Sequence, residues 1–227
     1  MIIEFYGLPG TGKTTIAKAM AESPNAEYIT FNAWLEKIYY VSLLVLIHPQ
    51  QSAYLLIKTV FELSYRVSSH SNLFCDICIH RLKLLLGKMA KYGKIRHFNK
   101  NDKKRIIVDE GFFQHIISMC ETKKRRAEII RIIDRIPKPD ILIMLNADRK
   151  IRFERMHNRV DIPGEKFGEE YVVSRLDIIE HNDKIIRDIL TASDMNIIKV
   201  DSSNKTICQL MSEIYDEINE LNDGGIG

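Results

Sequence analysis

The sequence predicts an α/β fold in which helices cover both faces of a five-stranded parallel sheet. Five short apolar runs recur along the 227 residues, at 2–6, 27–31, 105–111, 140–145 and 196–200. Segments with helical periodicity separate these runs. Continuous apolar strands are typical of a parallel sheet buried on both faces, whereas a sheet with one wet face shows alternation.

The segments between the strands predict helices in a regular order. We expect a first helix from residue 14 to 21, further helices at 112–120, 123–135, 148–159 and 169–190, and a last one that carries Ile207, Leu210, Ile214 and Ile218. Residues 33–104 predict a long helical insert, divided at His48-Pro49 and at residues 68–71. The insert stands between two strands, so we expect a single domain over residues 1–227.

A phosphate-binding motif follows the first strand. The chain reads Gly7, Leu8, Pro9, Gly10, Thr11, Gly12, Lys13 and Thr14, then Thr15. This run matches the P-loop pattern G-x-x-x-x-G-K-[ST] at every fixed position and lies between a predicted strand and a predicted helix. In such a loop, backbone N–H groups and a helix N-terminus surround phosphates, while Lys13 reaches the β- and γ-phosphates and Thr14 ligates Mg²⁺. The motif predicts that the protein binds ATP and Mg²⁺.

A second acidic motif ends the third strand, at residues 106–109. Asp109 is expected to hold Mg²⁺ through water or to take a proton from an acceptor hydroxyl. The alternative is an ordinary strand that ends at a polar turn. Glu110 and His115 are further candidates for a general base, each with a structural role as the alternative.

Three arginines share one face of the helix predicted at 148–159. Arg152, Arg155 and Arg159 are spaced by three and four residues, which favours an anion opposite them, because phosphoryl transfer needs cations around the transferring oxygens. We expect this helix and the loop after it, residues 149–168, to form an arginine lid over the phosphates. A solvated basic helix is the alternative.

Composition restricts the partners of the chain. The net charge is +3, but residues 80–105 hold ten Lys and Arg against one acid, Asp102, which indicates an anionic ligand or a solvated face.

Four cysteines are too few for a disulfide framework, and Cys75, Cys78 and His80 lack the second ligand pair of a zinc finger. The longest apolar run, residues 41–47, is far short of a membrane span, and the N-terminus has no signal peptide. We expect a cytoplasmic protein without a membrane or nucleic-acid partner, and the apolar helices of the insert offer a homodimer face.

Together these motifs resemble the P-loop kinase superfamily, in its nucleoside monophosphate kinase and thymidylate kinase-like group. The resemblance rests on residues 7–15, on 106–111, and on 139–148 leading into Arg155 and Arg159; residues 200–203 are similar to the segment beside the adenine. It implies a P-loop NTPase fold with phosphate and magnesium roles for Lys13, Thr14, Asp109, Arg155 and Arg159, and Arg152 is a weaker match. The chain departs from thymidylate kinases at Asp109-Glu110, where they carry Asp-Arg, and in its longer insert.

Three functions remain open. The favoured one is transfer of the γ-phosphoryl group of ATP to a nucleotide or nucleoside. A kinase of a sugar or another small hydroxyl compound, and an ATP-hydrolysing binding module without a small-molecule acceptor, also fit. A regulatory GTPase is disfavoured, because its Asn-Lys-x-Asp tetrad, spelled here by residues 99–102, precedes the acidic strand instead of following a later one.

Overall fold

The computed structural model describes residues 1–31, 33–64, 71–98, 104–158 and 169–223, and the structural statements below concern these residues. Its elements in chain order are β1 (Ile2–Tyr6), α1 (Lys13–Ala21), β2 (Ala26–Tyr28), α2 (Trp34–Ile47), α3 (Pro49–Ser64), α4 (Ser71–Phe98), β3 (Arg105–Val108), α5 (Phe112–Met119), α6 (Arg126–Ile133), β4 (Ile141–Asn146), α7 (Arg149–His157), α8 (Glu169–Thr191), β5 (Ile197–Asp201) and α9 (Ile207–Asp223). Residues 159–168 of the predicted lid, including Arg159, and the 99–102 tetrad lie outside the described residues.

The five strands form one parallel sheet in the order β2-β3-β1-β4-β5. The register pairs Ile3 of β1 with Ile107 of β3 on one side and with Ile141 of β4 on the other. All five residues of β1 are buried, as expected for the central strand of a sheet covered on both faces. The predicted sheet is confirmed, and its central position brings the end of β1 beside the ends of β3 and β4.

Several predicted elements end or begin differently from the expectation: the third strand ends at Val108 instead of residue 111, and the second strand and helix α6 also differ. The second strand ends at Tyr28 instead of residue 31, because it is an edge strand whose neighbour β3 supplies few partners. Helix α6 begins at Arg126 instead of residue 123, because Lys124 N–H donates to Asn182 Oδ1 (2.8 Å) and Arg125 N–H donates to Glu128 Oε2 (3.0 Å). These two bonds satisfy backbone donors in a non-helical turn just ahead of the helix.

The sheet separates two apolar cores. Helices α1 and α9 cover one face, where Ile16, Met20 and Ile214 pack against strand residues of β1, β4 and β5. Helices α4, α5, α6 and α8 contribute to the larger core on the other face, with Tyr92 and Phe112 among its fully buried side chains. This second core also anchors the helical insert, since residues of α2, α3 and α4 belong to it.

No single described helix is both long and apolar enough to cross a membrane; Trp34–Ile47 and Pro49–Val60 reach that composition only as a pair, with a bend of 115° between them.

The insert is held together by a close approach of α4 to α2. A Cβ atom on Gly93 of α4 would overlap the carbonyl oxygen of Tyr40 in α2. Gly87 lies on the same helix, but a Cβ atom there would meet nothing within 4 Å. A side chain therefore has room at Gly87 but not at Gly93.

Gly93→Ala is expected to lower the free energy of unfolding by about 1–3 kcal/mol, because the helices must separate to admit the methyl group. Gly87→Ala is the matched control and is expected to raise it by up to about 1 kcal/mol, since alanine is the better helix former. Urea denaturation of both variants measures these values. Equal effects of the two substitutions would contradict the close packing.

Candidate active site

The P-loop is built from glycines that no other residue replaces without strain. Gly10 and Gly12 have φ values of 85° and 87°, in the left-handed region. A Cβ atom on Gly7 would lie 2.6 Å from Leu145 O at the end of β4, and one on Gly10 would lie 2.5 Å from Arg152 O of α7. Helix α1 begins at Lys13, directly after Gly12. The loop is therefore wedged between β4 and α7, with the N-terminus of α1 at its base.

Lys13 is folded into this loop. Its side chain is buried, and its Nζ donates to Gly7 O (2.7 Å) and Leu8 O (3.1 Å). Thr11 Oγ1 also donates to Leu8 O (2.9 Å). The ammonium group is thus held at the loop, where the anion-binding N–H groups of a helix N-terminus converge.

Thr14 and Asp109 meet because β1 and β3 are neighbours. Thr14 Oγ1 donates to Asp109 Oδ2 (3.2 Å), and Lys91 Nζ of α4 donates to Asp109 Oδ1 (2.7 Å). A hydroxyl and a carboxylate oxygen are the donors that Mg²⁺ prefers, so these two side chains fit the ion that the sequence predicts. Burial works against ionisation of Asp109, but Lys91 and hydrogen bonds from Tyr28 and Thr14 outweigh it and lower the pKa of this carboxyl group.

Glu110 lies beside Asp109 and is paired with a second lysine of α4. Lys88 Nζ approaches Glu110 Oε2 (3.2 Å) and the Glu110 carbonyl oxygen (3.4 Å). Burial opposes ionisation of Glu110, but the positive charges of Lys88 and Lys13 outweigh it, and its pKa lies below the ordinary value. The Glu110 side chain is 44% exposed, whereas that of Asp109 is 10% exposed. Of the two carboxylates, Glu110 is the more exposed to solvent.

The turn that carries both carboxylates rests on a buried glutamate in β1. Glu4 is fully buried; its Oε1 accepts a hydrogen bond from Phe113 N–H (2.8 Å), and its Oε2 accepts a hydrogen bond from Tyr92 OH. A Cβ atom on Gly111 would overlap the Glu4 carboxyl group. Burial raises the pKa of Glu4 to about 7, although the hydrogen bonds from Tyr92 and Phe113 oppose the increase.

Helix α7 places its arginines against different partners. Arg155 Nη1 donates to Ser202 Oγ (3.2 Å) and approaches Gly10 O (3.4 Å), and its Nη2 donates to Ser202 O (2.8 Å). Arg152 is buried and donates instead to Glu180 Oε1 of α8 (2.9 Å). Arg149 lies 3.6 Å from the same carboxylate and is 70% exposed. Spacing predicted a shared side of the helix, but among the described arginine side chains of α7 it is Arg155 that approaches a P-loop carbonyl oxygen.

A cleft of about 290 Å³ opens beside the P-loop. Ser202 forms part of its wall. Its Oγ lies within hydrogen-bond distance of two acceptors for its single proton, Thr11 O (2.9 Å) and Asn146 O (3.0 Å), and so connects the end of β5 to the loop. The cleft is lined by residues of the P-loop, α1, α7, α9 and the connection between β5 and α9: Gly10, Thr11, Gly12, Thr15, Ile16, Arg155, Ser202, Lys205, Ile207 and Leu210. It combines backbone polar groups with aliphatic side chains, as small-molecule sites do.

Sequence reasoning missed the lysines and the glutamate that organise the two carboxylates. Lys88 and Lys91 were covered only by the general expectation of a basic segment, and their spacing of three residues was the available signal. Nothing in an apolar strand indicates the partners of Glu4. His115, a candidate general base, is buried in α5, and burial together with Lys88 and Arg81 lowers its pKa to about 3.

Comparison of sequences gives one partial match. The family model for ATPases associated with various cellular activities (AAA) matches residues 3–40, which contain β1, the P-loop and α1. No curated protein matches the chain. The sequence match is thus confined to the phosphate-binding end of the chain.

Comparison of structures covers nearly the whole chain. It is similar to deoxyadenosine kinase from M. mycoides with bound dATP, at 16% identity and a TM-score of 0.53, over 96% of this chain and 100% of that one. It is also similar to thymidylate kinase from Candida albicans, at 16% identity and a TM-score of 0.53, over 98% of this chain and 92% of that one. The predicted P-loop kinase fold is confirmed.

Glu4→Gln is expected to change the pH dependence of stability. Because the folded-state pKa of Glu4 is raised from 4.5 to about 7, the folded protein holds a proton that the unfolded chain has lost. The free energy of unfolding of the wild type therefore falls as the pH rises through this window, by roughly 3 kcal/mol, and the glutamine variant lacks this loss.

Urea denaturation at pH 4.5 and 7.5 measures the difference between the variant and the wild type. The exposed Glu22, changed to Gln, is the control and is expected to show the pH dependence of the wild type. A stability difference between Glu4→Gln and the wild type that stays constant over this range would contradict the assignment.

Proposed function

We propose that this protein is a P-loop kinase that moves the γ-phosphoryl group of ATP to a nucleoside or nucleotide. The observation that carries the proposal is that three features lie together at the ends of the adjacent strands β1 and β3: the glycine-rich loop, Lys13 and the pair formed by Thr14 and Asp109. A loop rich in glycine holds Lys13. Beside this loop, Thr14 Oγ1 donates a hydrogen bond to Asp109 Oδ2 at 3.2 Å. The likeness to a deoxyadenosine kinase and to a thymidylate kinase supports this choice of acceptor class.

Each group has a defined task in this proposal. The backbone of residues 7–13 binds the phosphates, and Lys13 neutralises the β- and γ-oxygens. Thr14 and Asp109 hold Mg²⁺, which supplies positive charge to the β- and γ-phosphates when bound. Arg155 forms the wall of the cleft beside the loop, and the nucleobase of ATP occupies that cleft.

An ADP-release screen tests the proposal across nucleosides, nucleoside monophosphates and sugars, with mass spectrometry to identify the phosphorylated compound. A phosphorylated nucleoside or nucleotide is the expected product. ADP release without any phosphorylated acceptor would favour the ATP-hydrolysing module instead, and a phosphorylated sugar would favour the sugar kinase.

Lys13→Ala is expected to lower kcat by at least about 10²-fold, because a cation that stabilises transition-state charge is lost. Lys18→Ala is the matched control on the same helix, since Lys18 is exposed and lies in the last turn of α1. Circular dichroism checks that both variants fold. Full phosphoryl transfer by Lys13→Ala would refute the role of the loop.

Arg155→Ala is expected to raise the KM for ATP by about tenfold, because the cleft wall loses its bonds to Ser202 and Gly10. The effect on kcat is expected to be smaller, since Arg155 acts on the wall of the binding cleft. Arg149→Ala, six residues earlier on α7, is the control and should leave the KM within a factor of about two. Equal KM values for the two variants would contradict the placement of ATP in this cleft.

A further inference from the structure

Helix α8 carries three charged residues on one side, Glu180, Asp183 and Arg187, spaced by three and four residues. Glu180 contacts the arginine helix, since its Oε1 accepts a hydrogen bond from Arg152 Nη2 of α7 (2.9 Å). Asp183 is buried, and its Oδ2 accepts a hydrogen bond from Arg187 Nε (2.7 Å). A buried ion pair is costly unless further hydrogen bonds complete it, so the other contacts of Asp183 and Arg187 are informative.

The Asp183–Arg187 pair holds the residue that leads into the P-loop. Tyr6 is the last residue of β1 and directly precedes Gly7. Its hydroxyl group donates to Asp183 Oδ1 (2.7 Å), and its ring centroid lies 5.5 Å from the guanidinium carbon of Arg187. Tyr6 and Asp183 are both buried, so water competes little with the bond between them. These contacts connect the end of β1 to α8.

Arg187 also holds the end of β4. Its Nη2 donates to Leu145 O (2.8 Å) while its Nε donates to Asp183. A Cβ atom on Gly7 would lie 2.6 Å from the same carbonyl oxygen, so the backbone of Gly7 packs directly against Leu145 O. A guanidinium group can make both bonds at once because its N–H groups diverge in a fixed plane. Arg187 therefore fixes the surface against which the P-loop begins.

Gly7 in turn anchors the lysine of the loop. Its carbonyl oxygen accepts a hydrogen bond from Lys13 Nζ (2.7 Å), and its N–H donates to Gln114 Oε1 of α5 (3.2 Å). A shift of Leu145 O would move Gly7 and, with it, the anchor of Lys13. The described lining of the cleft includes neither residue of the α8 ion pair. An effect of this pair on ATP is therefore transmitted through the loop.

We propose that Arg187, oriented by Asp183, is a positioning residue for phosphoryl transfer, which holds the P-loop in place through Leu145 O and Gly7. This inference rests on the proposed function and extends it to a helix outside the cleft. Groups that stabilise charge in the transition state act from fixed positions, and a misplacement of about 1 Å can cost about 10²-fold in rate. The two bonds of Arg187 provide this support without contact to ATP.

Arg187→Lys is the test substitution, because lysine keeps a positive charge beside Asp183 but cannot hold Leu145 O at the same time. We expect kcat for ADP release to fall by at least about tenfold, because the loop and Lys13 are displaced. The KM for the acceptor should stay within a factor of about two, since the acceptor does not contact α8 in this proposal. A general loss of structure would change both constants.

A spectroscopic measurement without ligand tests the route of the effect. The chain has eleven glycines, so protein labelled with ¹⁵N-glycine gives few amide signals. In Arg187→Lys the assigned amide signal of Gly7 should move, because its contacts with Leu145 O and Gln114 change. The signals of Gly87 and Gly93 in α4 should stay in place. Asp183→Asn should change kcat and the Gly7 signal in the same direction but by less, because an amide oxygen can still accept from Arg187; this variant carries the test if Arg187→Lys does not fold.

Arg125→Lys is the matched control, because Arg125 pairs with Glu128 on the surface at 3.5 Å and should leave kcat and the glycine signals unchanged. Thermal unfolding checks the fold of each variant. An unchanged kcat or an unmoved Gly7 signal in folded Arg187→Lys overturns this inference and leaves the proposed function standing. ATP hydrolysis by the wild type without a phosphorylated acceptor overturns the proposed acceptor and leaves the role of Arg187 testable on ADP release. Absence of ADP release under every condition overturns both.

Discussion

The arrangement of the site depends on one buried carboxyl group in the central strand. Glu4 joins three elements, since it accepts hydrogen bonds from Tyr92 of α4 and from the first turn of α5, and it occupies the space that a side chain at Gly111 would need. A buried carboxyl group is costly unless it is hydrogen-bonded, so these partners are obligatory. Because Asp109 and Glu110 directly precede Gly111, their position beside the P-loop follows from this contact.

Helix α4 has a second effect on the site, through charge. Its lysines approach from the insert and pair with the carboxylates that end β3, Lys88 with Glu110 and Lys91 with Asp109. Lys13, by contrast, donates to the backbone carbonyl oxygens of Gly7 and Leu8 in the P-loop. Part of the basic stretch in the sequence thus forms charge pairs in the fold.

Much of the fold was predictable because its signals are local. The apolar strands, the P-loop and the acidic end of β3 are each contained in a few consecutive residues, and the sheet confirms the strands. Side-chain pairing across elements was not predictable. The spacing of Arg152 and Arg155 predicts that both lie on one side of α7, but their side chains have different partners. Arg152 donates to Glu180 of α8, and Arg155 donates to Ser202 after β5. The partners of Lys91 and Glu4 likewise come from strands and helices distant in sequence.

The contacts of Lys13 have a consequence for how an anion would enter the loop. Its ammonium group already satisfies two carbonyl oxygens, those of Gly7 and Leu8, so the loop keeps its shape before any phosphate arrives. An incoming phosphate must exchange these internal bonds for its own, and the measured affinity is the difference between the two sets. The protein therefore gives up some strength of association in return for a receptor that needs little ordering when it is filled.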